Sequence, residues 1–327
     1  MKKILFAATF LLLFLAAARA GETPAAANAG EKIVCLLTPG DYAPYCFAKN
    51  PSAPAGKKGE PEKILPGRDA ANLQGYAWEI VRSSFQAQGF TLMLRELSWR
   101  EAASRARSVV NNAEKVGGTA VRPGDYTVNL SWNLDTWFLM HQKSYGLTDT
   151  QALAALFFPV VRSAERDQKY QYSAEPLFTS AIVIYVKAQS PLTEFNPQAL
   201  AGKNVGFIKE YSCGDLRARC TGAKIMEIDN LDSAFSILRS GRIEALVGYE
   251  GAMDFLLRKN KIGKLFRKIP TGVVLPEYLC GLRNDPRTSL LLEAFAAGRR
   301  KIAANGVEEQ IAEKWGVTPV AGKTVKP

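Results

Sequence analysis

The chain has 327 residues, of which 47% are hydrophobic and 22% charged, a composition that is ordinary for a globular protein with room for two domains. Its formal net charge is +11 at pH 7. Because the basic residues are scattered and no RNP, zinc-finger or helix-turn-helix pattern occurs, this charge does not indicate nucleic-acid binding. His141 is the single histidine, and the five cysteines form no C-x-x-C motif. The sequence therefore argues against zinc, haem and thioredoxin-type chemistry, and we expect no metal or cofactor.

The first 20 residues have the pattern of a cleavable export signal. Lys2 and Lys3 precede an apolar run over residues 4–18, and Ala18-Arg19-Ala20 matches a small-residue cleavage site. The apolar run is shorter than the roughly 20 residues that span a bilayer, and no later stretch of the sequence is long and apolar enough to do so. We therefore expect the signal to be removed and the mature protein to be a soluble monomer in the periplasm.

A strand, a helix and a second strand are predicted between residues 31 and 97. The segment EKIVCLLTP (31–39) is typical of a buried strand that ends at Pro39 and Gly40. Residues 51–71 are rich in Pro, Gly and Lys and predict an exposed loop. The segment TLMLREL (91–97) predicts the second strand. The helix between them, GYAWEIVRSSFQAQG, would end at Gly89 and bury Trp78, Val81 and Phe85 on one face.

Residues 111–150 mix turn signals with aromatic and helical patterns and predict no particular element. A regular α/β block follows, in which strands alternate with helices of about ten residues, as in parallel β-α-β units. The strands of this block are SAIVIYVKAQ, NVGFI, KIMEI, IEALVGY and KLFRKIP, and its main helices are LDSAFSILRSG and EGAMDFLLRK. Beyond it, EYLCGLR predicts a separate strand, and two amphipathic helices are divided at Gly306. The predicted fold class is thus α/β, in two blocks.

Several short motifs, in this order, resemble the extracellular (periplasmic) solute-binding protein family 3, the polar amino-acid receptors of ABC importers. They are DYAPY after the first strand, LQGYAWEIV, LSWREA, SAERDQKYQYSAEPL, LAGKNVGF, LRSGRIEALV, and CGLRNDP with a final helix ending in AEKWG. The resemblance runs from about Ile33 to Gly316. It implies a two-lobed fold with two hinge crossovers, lobe 1 being residues 31–180 plus 278–320 and lobe 2 residues 181–277. A solute would bind in the cleft between the lobes.

The resemblance also implies a set of ligand-binding residues. Arg166 matches the arginine that grips a ligand carboxylate, which a planar guanidinium does through two parallel hydrogen bonds. Tyr42 and Trp99 match the aromatic positions that pack on the ligand, and Ser212 lies in a loop that offers hydrogen-bond donors to the carboxylate. Each of these side chains has a structural alternative, either as a core residue or as a surface residue.

This sequence departs from the family pattern at other positions of the site. Phe158, Pro159 and Val161 replace small polar residues before the arginine motif. The lobe 2 acid that pairs with the ligand ammonium falls at Tyr249, and the adjacent Glu250 is a candidate to substitute for it. The spacing between the LSWREA and SAER motifs is also longer than in the family. These changes leave the identity of the solute open.

The five cysteines leave their pairing partly open. Cys213 and Cys220 lie in one loop with six residues between them, and we expect them to form a disulfide in the oxidising periplasm. For Cys35, Cys46 and Cys280 the spacing does not decide the connectivity.

Three functions fit these observations. The first is a solute-binding protein that delivers a small carboxylate-bearing solute, an amino acid or a related compound, to an ABC permease and is not an enzyme. The second is an accessory or sensory module that uses the same fold to dock another periplasmic protein. The third is an enzyme of the cyclohexadienyl dehydratase type, which would need a cleft acid such as Glu250 or Glu210.

We predict that the exported protein begins at Gly21, because cleavage follows the small residue Ala20. Mass spectrometry of protein isolated from the periplasm should give the mass of the chain from Gly21 onwards, whereas Ala20→Leu should impair cleavage. A mature protein that retains residues 1–20 would contradict the export signal.

Overall fold

Ten strands form one mixed sheet in the part of the chain that the computed structural model describes, residues 32–52, 61–97, 155–209 and 211–319. The strands are β1 (Ile33–Pro39), β2 (Asp41–Tyr42), β3 (Cys46–Ala48), β4 (Glu62–Ile64), β5 (Leu73–Gln74), β6 (Thr91–Leu97), β7 (Ala155–Val161), β8 (Tyr170–Tyr172), β9 (Phe178–Lys187), β10 (Asn204–Ile208), β11 (Lys224–Ile228), β12 (Ala245–Tyr249) and β13 (Phe266–Leu282). Strands β2, β3 and β5 form a separate antiparallel sheet.

Seven α-helices connect and cover these strands in the described ranges. They are α1 (Tyr76–Gln86), α2 (Ala164–Asp167), α3 (Leu216–Arg219), α4 (Leu231–Ser240), α5 (Glu250–Lys259), α6 (Pro286–Ala304) and α7 (Val307–Trp315), with short 3-10 helices at Pro197–Leu200 and Gly263–Leu265. No helix among the described residues is long and apolar enough to cross a membrane.

The large sheet has two halves that meet at two central strands. Its order is β11-β10-β12-β9-β13-β7-β1-β6-β4, with β8 paired to β13. On one side β1 is parallel to β6 and β7, and on the other side β10 is parallel to β11 and β12. The central strands β9 and β13 run antiparallel to each other and to their outer neighbours. We call the strands from β7 to β4 the β1 half and those from β11 to β12 the β10 half.

The elements predicted before residue 98 are confirmed, with one correction. Helix α1 buries Trp78, Val81 and Phe85 completely, and β1 pairs with β6 as a parallel neighbour. The correction concerns residues 51–71, which we expected to be an exposed loop. Strand β4 lies in this segment and pairs antiparallel with β6, with Ile64 buried against the sheet. A strand of three residues is too short to show the alternation that would have revealed it.

The β10 half follows the predicted order of strands and helices. Helix α4 begins after Asn230, whose side-chain oxygen accepts a hydrogen bond from the Ser233 amide at 2.9 Å, and it ends at Gly241 with φ 81°. An asparagine at the N-cap favours the start of a helix, and a glycine with positive φ at the C-cap favours its end. On its inner face Phe235 and Leu238 are buried. The predicted strands β10, β11 and β12 are parallel neighbours, as β-α-β units require.

One long strand replaces two that the sequence predicted separately. KLFRKIP and EYLCGLR belong to the single strand β13, whose pairing with β9 shifts register between Pro270 and Val274. At the shift Gly272 has φ 78°, and Thr271 donates its hydroxyl to the Ile182 carbonyl at 2.6 Å. The side-chain hydrogen bond stabilises the strand where the backbone ladder is interrupted. The chain therefore passes between the two halves without leaving the sheet.

The described residues from Ile33 onwards form one compact unit by their internal contacts. The expected lobe boundaries, at 180/181 and 277/278, fall inside β9 and β13 and stay predictions.

The last two helices are held to the rest of the fold by a buried ion pair. Arg299 on α6 lies 2.7 Å from the Glu308 carboxylate, and both side chains are nearly inaccessible to solvent. Arg299 also donates to the Pro176 carbonyl at 2.6 Å. Because a buried charge is stable only when it is paired and hydrogen-bonded, these contacts fix α6 and α7 next to the start of β9.

We predict that Gly298→Ala destabilises the fold. Gly298 lies on α6 where the helix packs on α1, and a Cβ at this position would overlap the backbone carbonyl of Ser84. Separating the helices should cost about 1–3 kcal/mol. Urea unfolding measures this loss, and Gly263→Ala is the matched control because its Cβ would meet nothing within 4 Å. Equal stabilities of the two variants would contradict the close packing.

Candidate functional site

Two tyrosines follow β1 and are held in place by the start of α1. The Tyr45 amide donates to the Tyr42 carbonyl at 2.9 Å, and the Tyr45 carbonyl in turn accepts from the Ala77 amide of α1 at 3.0 Å. Gly75, with φ 124°, permits this approach, since a Cβ there would overlap the Tyr45 carbonyl. The first turn of α1 thus binds the chain's own backbone. As a result Tyr42 and Tyr45 are buried, at 3% and 4% exposure.

Two further tyrosines come from the ends of β10 and β12. These strands are parallel neighbours, so their carboxyl ends meet at one edge of the sheet. Tyr211 and Tyr249 stack there, with ring centroids 5.0 Å apart and an interplanar angle of 17°. The Tyr42 ring lies 6.1 Å from Tyr211 and 5.9 Å from Tyr249. Aromatic rings from the β1 half and the β10 half therefore contact each other directly.

The first residue of β9 completes the group of rings. Phe178 stacks on Tyr45 with centroids 3.8 Å apart and planes 4° from parallel. On its other side the Tyr45 hydroxyl contacts the start of α5, where Gly251 leaves it space and a Cβ would overlap it. We call the five rings the aromatic cluster: Tyr42, Tyr45, Phe178, Tyr211 and Tyr249.

A buried carboxyl group from β13 lies against this cluster. Glu277 is 2% exposed, and its Oε1 atom accepts hydrogen bonds from the Ser180 hydroxyl at 2.5 Å and the Tyr42 hydroxyl at 2.8 Å. Burial raises the pKa of Glu277 from 4.5 to about 7, against the opposing effects of the two hydrogen bonds and of the positive charge on Arg166. Desolvation wins because it acts on the whole charge of a group removed from water.

Arg166 is near enough to Glu277 for its positive charge to act on that carboxyl group. It is partly buried on α2, and its Nη1 donates to the Val161 carbonyl at 2.7 Å. Its charge opposes the effect of burial, which raises the pKa values of Cys280 and Tyr249. In the described ranges no carboxylate forms an ion pair with Arg166, so the rest of its guanidinium fork has donors for a ligand.

Of the other predicted ligand-binding residues, one is exposed, one forms a surface ion pair and one lies outside the described residues. Ser212 is exposed. The Glu250 carboxylate lies 2.5 Å from Lys268 Nζ in a surface ion pair, although its charge still contributes to the raised pKa of Tyr45, which burial dominates. Trp99 and Glu210 lie outside the described residues.

The predicted disulfide is not formed in this structure. Cys213 and Cys220 are free, buried thiols on either side of the one-turn helix α3. Cys213 Sγ is 3.8 Å from the Tyr211 carbonyl, a weak hydrogen bond. Burial raises the pKa of Cys213 to about 11 and also raises that of Cys220. Because the thiolate is the form that oxidises, both groups are poorly reactive here.

A groove of about 700 Å³ leads to the outer edge of the aromatic cluster. It runs between the β1–β3 segment and the carboxyl ends of β10 and β11, and Tyr211 is the cluster ring that lines it. Burial raises the pKa of Tyr211, and the charges of Asp41, Glu277 and Asp232 raise it further. Tyr211 therefore lies within the field both of the buried Glu277 and of acidic groups of the groove. No group of metal-ligating side chains occurs among the described residues.

Comparison with known proteins shows which solved structures have a fold similar to that of this chain. No protein-family model matches the chain, and no curated protein matches its sequence. A substrate-binding protein of an ABC uptake transporter from Streptococcus pneumoniae, with bound histidine, matches with TM-score 0.58 and 14% identity over 89% of this chain and 95% of that one. A histidine kinase sensor domain with similarity to periplasmic binding proteins matches with TM-score 0.57 and 17% identity, over 88% and 98%. An ancestral amino-acid-binding protein, a precursor of cyclohexadienyl dehydratase, gives 0.53 and 15%, over 86% and 94%.

The chain therefore has the two-lobed fold of the periplasmic binding proteins, as the motif resemblance implied. Substrate-binding proteins of amino-acid ABC transporters are among the matching structures. The matches cover nearly the full length of those chains. At identities below 25% they establish the fold, and the bound molecule has to be argued from the site itself.

Sequence reasoning missed Glu277, Tyr45 and Tyr211 as members of the site. The available signal for Glu277 was a single acid in the apolar run VVLPEYLCGL. Tyr249 was noted only as a departure from the family acid, yet its ring is part of the cluster.

Replacing Glu277 by glutamine should remove part of the pH dependence of stability. With a pKa of about 7 when folded and an ordinary value of 4.5, the folded state holds a proton that the unfolded state releases. The stabilisation is therefore complete below about pH 4.5 and is lost as the pH rises to about 7, up to about 3 kcal/mol.

Urea unfolding at several pH values from 5 to 8 measures this effect. Relative to Glu277→Gln, the wild-type free energy of unfolding should fall as the pH rises. If the two curves run parallel across this range, Glu277 does not titrate in the way its burial implies.

Proposed function

We propose that this protein is a periplasmic solute receptor, not an enzyme, that captures a small carboxylate-bearing solute, an amino acid or a related compound, and delivers it to an ABC importer. The observation that carries the proposal is Arg166. Its charge acts on Glu277 and on Tyr249 of the aromatic cluster. Its guanidinium is anchored by one hydrogen bond to Val161 and has no carboxylate partner among the described residues. A partly buried guanidinium with donors to spare is suited to bidentate binding of a ligand carboxylate.

The rest of the site supports binding between two lobes. We propose that lobe 1 comprises residues 31–180 plus 278–320 and lobe 2 residues 181–277, with the hinge at β9 and β13. Tyr42 and Trp99 would pack on the solute, and Ser212 would donate a hydrogen bond from the loop after β10. Closure would then bring the β10 half onto the solute, as in other hinged binding proteins.

A second function, that of an accessory or sensory module, is favoured by the aromatic cluster itself. Tyr42, Tyr211 and Tyr249 contact each other across the two halves, and such contacts would stabilise a closed form without a solute. Such a module would use the closed surface to dock a periplasmic protein. One of the matching structures is a sensor domain of a histidine kinase.

We predict that Arg166→Ala weakens binding of the solute by about 30-fold to several thousand-fold, which corresponds to about 2–5 kcal/mol for a buried charge left without its partner. Arg166→Lys should also bind poorly, because a point charge does not reproduce the planar fork. The measurement is a thermal-shift screen of amino acids and small carboxylates, followed by calorimetry of the best ligand.

Arg239→Ala is the matched control, since Arg239 is exposed at the end of α4. If both Arg166 variants fold and bind within about threefold of wild type, a loss of about 0.7 kcal/mol at most, Arg166 is a structural residue. If no carboxylate shifts the wild-type melting temperature, the accessory module becomes the better explanation. Prephenate turnover would identify an enzyme.

A further inference from the structure

A second groove, of about 530 Å³, lies between helix α5 and the adjoining ends of β9 and β13. Its described lining residues are different from those of the first groove and from the rings of the aromatic cluster. We infer that this second groove is a docking site for an acidic segment of a partner protein. It is distinct from the proposed solute site, because its lining includes neither Arg166 nor Glu277 among the described residues.

The floor of the second groove is apolar and held in place by the core. Tyr185, Leu257 and Phe266 line it, with exposures of 1%, 6% and 8%. The rings of Tyr185 and Phe266 pack on Phe235 of α4, at centroid distances of 5.3 and 4.9 Å. The Tyr185 hydroxyl is fixed as well, since it donates to Asp254 Oδ1 at 2.6 Å. A preformed apolar floor favours binding of an apolar side chain, because little order has to be gained.

The rim of the second groove is positively charged. Arg258, Lys261 and Lys264 line it, are exposed, and form no ion pair among the described residues. Asp254 is the one acid among the described lining residues, and Lys268 Nζ lies 2.7 Å from its carboxylate and offsets its charge. Three positive charges are therefore left uncompensated beside the apolar floor. Such a groove attracts acidic groups, because its low-dielectric walls focus the field of the charges.

The backbone at Lys261 supports a role for the side chain of this residue. Lys261 follows Asn260, the C-cap of α5, and has φ 56°. The other described residues with positive φ are glycines. Glycine is favoured in the left-handed region after a helix end, because a Cβ is unfavourable there. The lysine thus adds a positive side chain to the groove at a position where glycine would be less strained, and strained positions cluster at functional sites.

The combination of floor and rim indicates a protein segment as the occupant. An inorganic anion would use the rim alone and leave the apolar floor in contact with water. A flat membrane surface would reach Arg258 and Lys264 on the rim, but it would not enter the groove to cover Leu257 and Phe266. A segment with acidic side chains around one apolar residue matches both features, through charge complementarity with the rim and burial on the floor.

The test uses the fluorescein-labelled peptide Glu-Asp-Glu-Phe-Glu-Asp-Glu, whose binding to the protein is measured by fluorescence anisotropy at low ionic strength. Wild type should bind it. The triple variant Arg258→Ala, Lys261→Ala and Lys264→Ala should bind about tenfold more weakly, which corresponds to about 1.4 kcal/mol for three exposed ion pairs. A peptide with glycine in place of phenylalanine should bind wild type about fivefold more weakly, because it leaves the floor uncovered.

The matched control removes the same net charge elsewhere. Lys224, Arg239 and Arg300 are exposed and do not line the second groove. Their combined replacement by alanine should leave peptide affinity within about twofold of wild type. Hydrogen exchange on the wild-type protein should show that the peptide protects residues 254–268.

Lys261→Gly separates a binding role from a structural one. It should weaken peptide binding about threefold, as expected for one exposed ion pair. Its melting temperature should be unchanged or higher than that of wild type, because glycine adopts this backbone conformation freely. A lysine that served only to interact with the dipole at the end of α5 predicts the opposite, a lower melting temperature and unchanged binding.

Four outcomes would overturn the docking site. It is wrong if wild type does not bind the peptide, or if the two triple variants weaken binding equally, since the attraction then comes from net charge alone. It is also wrong if inorganic phosphate displaces the peptide and the glycine peptide binds equally well, which would indicate a simple anion site. Binding of phosphatidylglycerol vesicles in place of the peptide would indicate a membrane contact. The Arg166 variants decide the receptor function separately.

Discussion

The carboxyl group of Glu277 joins three segments that are far apart in the sequence. It lies on β13, opposite Phe178 of β9, and it accepts hydrogen bonds from Ser180 on β9 and from Tyr42 after β1. A buried carboxyl group is stable only when such partners compensate its loss of hydration. Because β9 and β13 lie between the two halves of the sheet, this network fixes where the Tyr42 ring lies at their junction, and the other rings pack around it.

The ring contacts between the two halves are weak interactions. An aromatic pair contributes about 0.5–1.5 kcal/mol beyond the area it buries, and the contacts of Tyr42 with Tyr211 and Tyr249 are of this kind. The register shift near Thr271 divides β13 into two segments, each with its own pairing to β9. A ligand that prefers one arrangement of the halves by a few kcal/mol could therefore change their population.

The elements that sequence analysis predicted correctly are those whose signal is local. Helix α1 has apolar residues at helical spacing, and α4 has a capping asparagine and a terminal glycine, so both could be located from neighbouring residues alone. Arg166 and Tyr42 could be proposed because each lies in a short motif. Strand β13 was divided in two because Thr271-Gly272 has the composition of a turn, whereas the pairing with β9 continues across it.

Glu277 could not be found in the same way. Its partners Ser180 and Tyr42 are 97 and 235 residues away in the sequence, and an isolated acid in a strand is usually exposed to solvent. Burial of this residue depends on how β9 and β13 pair and on where the DYAPY segment folds back. The disulfide between Cys213 and Cys220 stays a prediction, since both thiols are free in this structure and lie on either side of a helical turn.

The electrostatics of Arg166 and Glu277 would make the two ends of the proposed solute depend on each other. The positive charge of Arg166 lowers the pKa of Glu277, while burial raises it to about 7. A simple anion on Arg166 would cancel part of this charge, so Glu277 would hold its proton more tightly. A cation beside Glu277 would do the opposite and favour the ionised form. A zwitterion supplies both charges at once, so the carboxylate can bind Arg166 without forcing Glu277 to stay protonated. By this reasoning a site with a guanidinium and a buried carboxyl group within each other's field discriminates against ligands with a single charge, even where shape alone would admit them.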